Sequence, residues 1–146
     1  MEASAIPNKE ILIIKHGALG DIVLATGPFK GIREAHANDR VTLLTSTPYD
    51  DFLRPSGWFD EIMVDDRPPA LRIATWLQMI RALRASHFHR VYDLQHSART
   101  SLLFHALSWS RDIEWSGIAT GCSHPHVNPH RNDIHTIERQ AEQLAA

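Results

Sequence analysis

The feature that most constrains the fold is an unbroken aliphatic run, Ile11-Leu12-Ile13-Ile14, which leads directly into a glycine-containing turn at residues 15–21. Consecutive apolar side chains point to both sides of a sheet, so such a run is typical of a parallel strand that is covered on both faces. The glycines that follow predict a tight turn. We therefore expect a central strand of an α/β sheet, with a loop and then a helix after its carboxyl end.

The rest of the chain alternates between strand-like and helix-like segments. Strands are predicted at residues 41–45, 61–64, 88–94 and 113–115, and helices at 21–35, 47–53, 71–83, 97–109 and 134–146. Pro28 lies inside the first helical segment, where it predicts a bend or a break. Strands that alternate with helices in this way form right-handed crossovers. The sequence thus predicts an α/β fold, an open parallel sheet with helices on both faces, in one domain at 11–146 after a flexible N-terminus at 1–10.

Composition excludes several classes of function. The chain has 146 residues, a net charge of -2 and a single cysteine, Cys122. A charge so close to neutral argues against nucleic-acid binding. The lone cysteine and the absence of a signal peptide favour a cytoplasmic protein. No apolar run is long enough to cross a bilayer, so any work at a membrane is expected to take place at its surface.

Asp21 is the acidic residue of the glycine turn, and two interpretations of it are open. As a helix N-cap, its carboxylate would accept backbone N–H groups and stabilise the helix by ~1 kcal/mol. As a general base, it would take the proton of a bound hydroxyl. Gly17 and Gly20 are expected to adopt positive φ and to leave room for a ligand. The turn lacks the G-x-G-x-x-G order of a dinucleotide site, so NAD binding is not expected.

Several segments of the chain form a recognisable set: Ile11-Leu12-Ile13-Ile14-Lys15, Gly17-Ala18-Leu19-Gly20-Asp21-Ile22-Val23, Thr26-Gly27-Pro28-Phe29, Val41-Thr42-Leu43-Leu44, Phe59-Asp60-Glu61-Ile62 and Phe88-His89-Arg90-Val91-Tyr92-Asp93-Leu94-Gln95. In these segments the chain resembles glycosyltransferase family 9, the lipopolysaccharide heptosyltransferases. The resemblance implies a GT-B enzyme with two Rossmann-like domains. This chain would be the N-terminal, acceptor-binding domain, and the C-terminal domain that holds the nucleotide sugar would be absent.

The resemblance also implies a reaction: inverting transfer of heptose from ADP-heptose to a hydroxyl of the lipopolysaccharide core, without a metal or other cofactor. By position, the catalytic base of the family falls on Asp21, which favours that interpretation over the cap. The chain alone is expected to be inactive, cytoplasmic or peripheral to the inner membrane, with an exposed docking face that allows a homodimer. The alternative is a non-catalytic nucleotide- or metabolite-binding module that uses residues 17–21 as an anion cradle.

Four further residues are candidates for substrate contacts. Lys15 and His16 line the glycine turn, where they would meet acidic groups of the acceptor or a diphosphate, or else simply face solvent. Gln95 and His96 follow the strand predicted at 88–94 and are placed to hydrogen-bond sugar hydroxyls. His96 has an alternative role as the cap of the helix predicted at 97–109.

The segment 122–130 and the tryptophans carry weaker signals. Cys122, His124 and either His126 or His130 are ligand types suited to Zn²⁺, but their spacing matches no standard zinc finger and the prolines favour an irregular surface loop. Aromatic side chains more often belong to the core than to a sugar site. We expect Trp76 and Trp109 in the core, and Trp58 is the tryptophan whose exposure needs testing; its loop position would suit stacking on a sugar ring.

Overall fold

A computed structural model describes residues 9–47, 49–65, 72–109, 111–119, 121–126 and 143–144. Most of the helix predicted at 134–146, and residues 1–8, lie outside these described residues. The elements are β1 (Glu10–Ile14), α1 (Leu19–Leu24), α2 (Thr26–Ala35), β2 (Arg40–Thr45), α3 (Tyr49–Leu53), β3 (Glu61–Val64), α4 (Ile73–Ala85), β4 (Arg90–Asp93), α5 (Ala98–Ser108), β5 (Glu114–Gly117) and β6 (His124–Pro125), with a 3₁₀ turn at Arg54–Ser56.

The strands form a parallel sheet in the order β3-β2-β1-β4-β5-β6. β1 is central, with Ile11 opposite Val41 of β2 on one side and Arg90 of β4 on the other. The order reverses beside β1, because the chain first builds outward through β2 and β3 and then returns to start β4. The predicted fold class, an open parallel α/β sheet, is confirmed.

Two apolar cores lie on opposite faces of the sheet, and β1 supplies both. Ile11 and Ile13 pack with residues of α1, α2 and α3, whereas Leu12 and Ile14 pack with residues of α4 and α5. All four side chains are completely buried. Burial of an aliphatic side chain of this size contributes about 1.5–3 kcal/mol. The aliphatic run therefore fixes β1 as the strand between two helical layers.

Pro28 accounts for the break in the first helical segment. α1 ends at Leu24 and α2 begins at Thr26, with Ala25 between them. Pro28 has no N–H to donate to the carbonyl oxygen of Leu24, and its ring crowds that carbonyl, so one continuous helix is unfavourable. The predicted bend or break is confirmed at this position.

Three predictions about local structure were wrong. Glu10 belongs to β1, so the flexible N-terminus does not extend to residue 10. Trp109 is 75% exposed rather than in the core, because it stands at the C-cap of α5 and outside the apolar stripe. His124 and Pro125 form the short strand β6 beside β5, where an irregular loop was predicted. In the part of the chain that the structure describes, no helix is both long and apolar enough for a membrane span.

Trp58 and Trp76 are partly buried. The Trp58 ring lies 6.5 Å from that of Phe29 and packs against the first core, which favours a structural role over sugar stacking. Trp76 packs against the second core, as predicted.

Candidate functional site

The carboxyl ends of the parallel strands bring their following residues to one edge of the sheet. β1 is followed by Lys15 and His16, β3 by Asp65, and β4 ends at Asp93. The order of the sheet reverses beside β1, and ligands of open α/β sheets bind in the crevice at such a reversal. The polar side chains that follow β1, β3 and β4 lie around this crevice.

Asp21 is exposed and lies in the first turn of α1. The N-cap of that helix is Ala18, whose side chain offers no hydrogen bond, so the alternative interpretation of Asp21 as the N-cap is wrong. Within the described residues, the Asp21 carboxylate takes part in no side-chain hydrogen bond or ion pair. The glycine turn thus presents an unengaged carboxylate to solvent, directly after the central strand.

Lys15 and His16 are buried, which excludes the alternative that they simply face solvent. The Lys15 ammonium donates to the carbonyl oxygen of Leu94 at 3.3 Å, and the Lys15 backbone N–H donates to that of Leu44 at 3.0 Å. Lys15 therefore ties the end of β1 to the ends of both neighbouring strands. A charged side chain is tolerated at a buried position only when such polar partners replace water.

His16 belongs to a buried ion-pair network that the sequence did not indicate. Its Nε2 lies 3.0 Å from Oδ2 of Asp65, and both side chains are 1% exposed. Arg99 holds the same carboxylate through both oxygens, with Nη2 at 2.8 Å from Oδ1 and Nε at 3.3 Å from Oδ2. The guanidinium lies 3.9 Å above the ring of Trp76. The network joins the end of β1, the end of β3, α5 and α4.

Asp65 and Arg99 were both missed at the sequence level. A signal for Asp65 existed, because it is an acidic residue directly after β3, at the edge of the sheet where the glycine turn also lies. Arg99 gave no comparable signal: it is 34 residues away in the chain, and only the crossover through α4 brings α5 to the end of β3.

Gln95 and His96 lie at the same edge and are partly buried. Oε1 of Gln95 accepts the backbone N–H of His16 at 3.1 Å, so Gln95 fixes the start of the glycine turn. Nε2 of His96 bonds to Oε1 of Gln143. His96 does not cap α5, because Ser97 is the N-cap and forms a capping box with Thr100.

Asp93 is a second buried acidic residue, and it was not among the predicted site residues. Burial raises the pKa of its carboxyl group from 3.8 to about 6, although hydrogen bonds from Thr100 and from the backbone of His96 and Gln95 oppose this shift. Its Oδ1 accepts the N–H of Gln95 at 3.0 Å and the N–H of His96 at 3.1 Å. Asp93 therefore shapes the loop that carries these two residues.

The two glycines of the turn do not have the predicted positive φ, which among the described glycines occurs at Gly57 and Gly121. A Cβ atom on Gly17 would lie 2.0 Å from the Tyr49 ring, so a neighbouring side chain rather than a ligand requires glycine there. A Cβ on Gly20 would meet nothing within 4 Å. The space predicted for a ligand is therefore present at Gly20 and absent at Gly17.

The segment around Cys122 packs beside β5 and β6, at the opposite end of the sheet from β3. Cys122 is buried, burial raises the pKa of its thiol, and its Sγ donates to the carbonyl oxygen of Gly117 at 3.6 Å. Among the described residues, no three His, Cys, Asp or Glu side chains are grouped so that they could share a metal ion. His130 lies outside the described residues.

Solved structures of glycosyltransferases share this architecture. A glycosyl transferase family 9 protein from Veillonella parvula superposes with a TM-score of 0.75 at 20% identity, over 99% of this chain and 42% of that one. The E. coli ADP-heptose lps heptosyltransferase II gives 0.66 at 14% identity, over 83% of this chain and 35% of that one. The E. coli heptosyltransferase WaaC with ADP gives 0.62 at 16% identity, over 93% and 46%.

These similarities establish a fold like that of the family 9 heptosyltransferases. The chain spans less than half the length of each of the three structures. No protein-family model and no curated protein matches the sequence.

Proposed function

We propose that this chain, which has the fold of family 9 glycosyltransferases, is the acceptor-binding domain of an inverting glycosyltransferase with Asp21 as its general base. The observation that carries the proposal is the exposed Asp21 carboxylate, unengaged among the described residues, in the first turn of α1, the helix that follows the central strand. A carboxylate in this state is available to accept a proton from a bound hydroxyl. The buried groups around it hold the turn in place.

In the proposed reaction, the acceptor hydroxyl attacks the anomeric carbon of the donor sugar from the face opposite the diphosphate. Asp21 takes the hydroxyl proton as the new glycosidic bond forms. The bond from the anomeric carbon to the phosphate oxygen breaks, and its electron pair leaves with the diphosphate. Configuration inverts because attack and departure occur on opposite faces. A positioned general base contributes about 10²–10⁴-fold to such a rate.

The proposed donor is ADP-heptose and the proposed acceptor is the lipopolysaccharide core, as the names of the two E. coli structures suggest. We propose that a second, C-terminal domain would hold the donor. This proposal is supported by coverage, because the chain matches only 42% of the length of the Veillonella parvula protein. Helix N-termini and cationic side chains of that domain would stabilise the leaving diphosphate. The chain alone would then be inactive, and transfer would take place on the cytoplasmic side of the inner membrane.

The structure changes how the predicted substrate contacts are interpreted. Lys15 and His16 are buried and bonded to other strands, so we propose that they position the turn rather than contact sugar. Gln95 is partly exposed, and its Nε2 has no hydrogen bond among the described residues. We propose this amide group as a donor to an acceptor hydroxyl. Gly20 leaves open space beside it for the acceptor.

The test is sugar transfer by the chain after it is fused to the C-terminal domain of a family 9 heptosyltransferase, with ADP release from ADP-heptose as the readout. We expect transfer by the fusion and about a 10²–10⁴-fold lower kcat for its Asp21→Asn variant. Glu34→Gln is the matched control, because Glu34 is an exposed helical carboxylate at the end of α2 that leads away from the site. It should keep the full rate.

Two results would exclude the proposal. One is an Asp21→Asn fusion that folds and still transfers at the full rate. The other is tight binding of a nucleotide by the chain alone at residues 17–21, with no transfer by the fusion, which would favour the anion-binding module instead.

A further inference from the structure

Charge is strongly segregated along the chain. Residues 17–65 contain eight Asp and Glu against four Lys and Arg, whereas residues 72–111 contain six Arg and one acidic residue, Asp93. Asp93 is buried in the sheet and contributes nothing to the surface. The basic segment comprises α4, β4 and α5, and both of its helices pack on the same face of the sheet. Among the described residues, two of the six arginines are paired with carboxylates, Arg90 with Glu114 and Arg99 with Asp65. The helices α4 and α5 themselves contain no Asp or Glu, so the face that they form is cationic through its remaining arginines.

The arginines of this face are available to an external anion. Arg72 and Arg81 are exposed, and in the described part of the chain neither forms an ion pair with a carboxylate. Arg84 donates to the carbonyl oxygens of Ala106 and Trp109 at the end of α5, which leaves its charge without a carboxylate partner among these same residues. Arg99 belongs to the buried pair with Asp65 and is not counted here.

The same face exposes large apolar side chains. Ile73 is 65% exposed, Leu77 47%, Leu102 61% and Trp109 75%. A groove of about 270 Å³ between α4 and α5 is lined by Ile73, Trp76, Leu77, Ile80 and Leu102. Contiguous apolar surface of this kind marks an interaction site rather than ordinary scattered exposure. The described C-terminal residue Leu144 lies on the other face, beside α2, and does not cover the groove.

We propose that the face formed by α4 and α5 docks on an anionic lipid bilayer. Ile73, Leu77, Leu102 and Trp109 enter the interface, and Arg72 and Arg81 lie at the level of the phospholipid phosphates. Cationic residues beside exposed apolar side chains, with a tryptophan at the boundary, are the pattern of peripheral helices that lie on membranes. This inference rests on the proposed function, which places sugar transfer at the inner membrane, and it names the face that makes the contact. Vesicle binding makes no use of Asp21, so a failure to bind vesicles is distinguishable from a failure of sugar transfer.

Other occupants fit this face less well. A symmetric dimer through it would oppose the arginines of one copy to those of the other. A nucleic acid would match the charge, but it would leave the apolar groove without a partner. An anionic bilayer complements both features, since basic residues gain from the surface potential while apolar side chains gain from burial.

The experiment is co-sedimentation of the full chain with vesicles of phosphatidylcholine alone and with vesicles that also contain phosphatidylglycerol. We expect binding to the anionic vesicles that weakens as salt is raised. The double variant Arg72→Gln/Arg81→Gln should reduce the partition coefficient at least about tenfold, since each basic residue near the surface contributes a several-fold gain. Leu77→Ser/Leu102→Ser should reduce it comparably because it removes apolar contact.

Matched controls lie on the opposite face of the sheet. Lys30 of α2 and Phe52 of α3 are exposed, and Lys30→Gln and Phe52→Ser should bind vesicles like the unmodified chain. Circular dichroism of each variant checks that it is folded. The proposal is overturned by failure to bind anionic vesicles, by equal binding of the folded α4–α5 variants, or by self-association without vesicle binding that those variants abolish.

Discussion

Gly17 and Gly20 lie in one turn, yet different physical constraints act on them. At Gly17 the Tyr49 ring occupies the position that a Cβ atom would take. At Gly20, a helical residue of α1, the corresponding space is open. The first glycine is thus a packing requirement, whereas the second leaves room next to Asp21.

This difference gives opposite effects of the same substitution on stability. We expect Gly17→Ala to lower the free energy of unfolding by roughly 1–3 kcal/mol, because Tyr49 must shift. Gly20→Ala should raise it by about 0.5–1 kcal/mol, since alanine is the better helix former. Urea unfolding of the two variants measures both effects. Equal destabilisation by the two substitutions would show that the turn is constrained at both positions.

Asp93 imposes a pH dependence on the fold. Its pKa is raised from 3.8 to about 6 by burial, so the folded state binds its proton more tightly than the unfolded state does. Stability must then fall as pH rises from about 4 to about 6, by about 3 kcal/mol from this group. Asp93→Asn keeps an oxygen for the N–H groups of Gln95 and His96 but carries no charge.

We therefore expect the Asn variant to gain stability relative to the original chain as pH rises from 4 to 7. The difference between the two free energies of unfolding, measured by urea unfolding across this range, isolates Asp93 from other titrating groups. Two parallel stability curves would mean that the carboxylate is ionised without cost.

At the scale of elements, the network of His16, Asp65 and Arg99 adds polar contacts between the ends of β1 and β3 and α5, beside the apolar core that these elements share. The carboxylate of Asp65 is buried, and its partners include His16 at the end of β1 and Arg99 of α5. Removal of one partner from a buried ion pair typically costs 3–5 kcal/mol, because the other charge remains without water.

Arg99→Met should therefore destabilise the chain by about 3–5 kcal/mol. Arg99→Lys should cost less, because it keeps the charge but loses the two-point contact and the stacking on Trp76. Thermal unfolding of the two variants ranks them. Stability of the Met variant equal to that of the unmodified chain would show that Asp65 finds other compensation.

The elements were predictable to the extent that local sequence determines them. β1 and the break at Pro28 follow from residue type alone, through continuous apolar character and a missing N–H. The site was less predictable, since the burial of Lys15 and the pairing of Arg99 with Asp65 depend on which strands become neighbours. Trp109 was predicted in the core because it is apolar, but its position at the C-cap of α5 leaves it exposed. β6 contains a proline and is only two residues long, so the sequence shows no alternating or continuous apolar pattern that would predict a strand there.

At the scale of the whole molecule, the sheet places its polar groups at one edge and its cationic apolar face on one flank. The chain accounts for less than half of each glycosyltransferase whose fold it shares. In our account this half supplies the acceptor site and the base, while the donor and its diphosphate belong to the other half. Under the proposed function, sugar transfer would depend on both halves, and this one would contribute the single carboxylate that acts as the base.

The most direct test replaces that carboxylate and then supplies another from solution. In the fusion with a family 9 C-terminal domain, Asp21→Ala should lower the transfer rate by about 10²–10⁴-fold. Added formate should restore part of the rate in proportion to its concentration, with the same inverted product, because it can accept the hydroxyl proton in place of Asp21. A folded Asp21→Ala fusion that transfers at the full rate, or a loss that no concentration of formate relieves, would contradict the account.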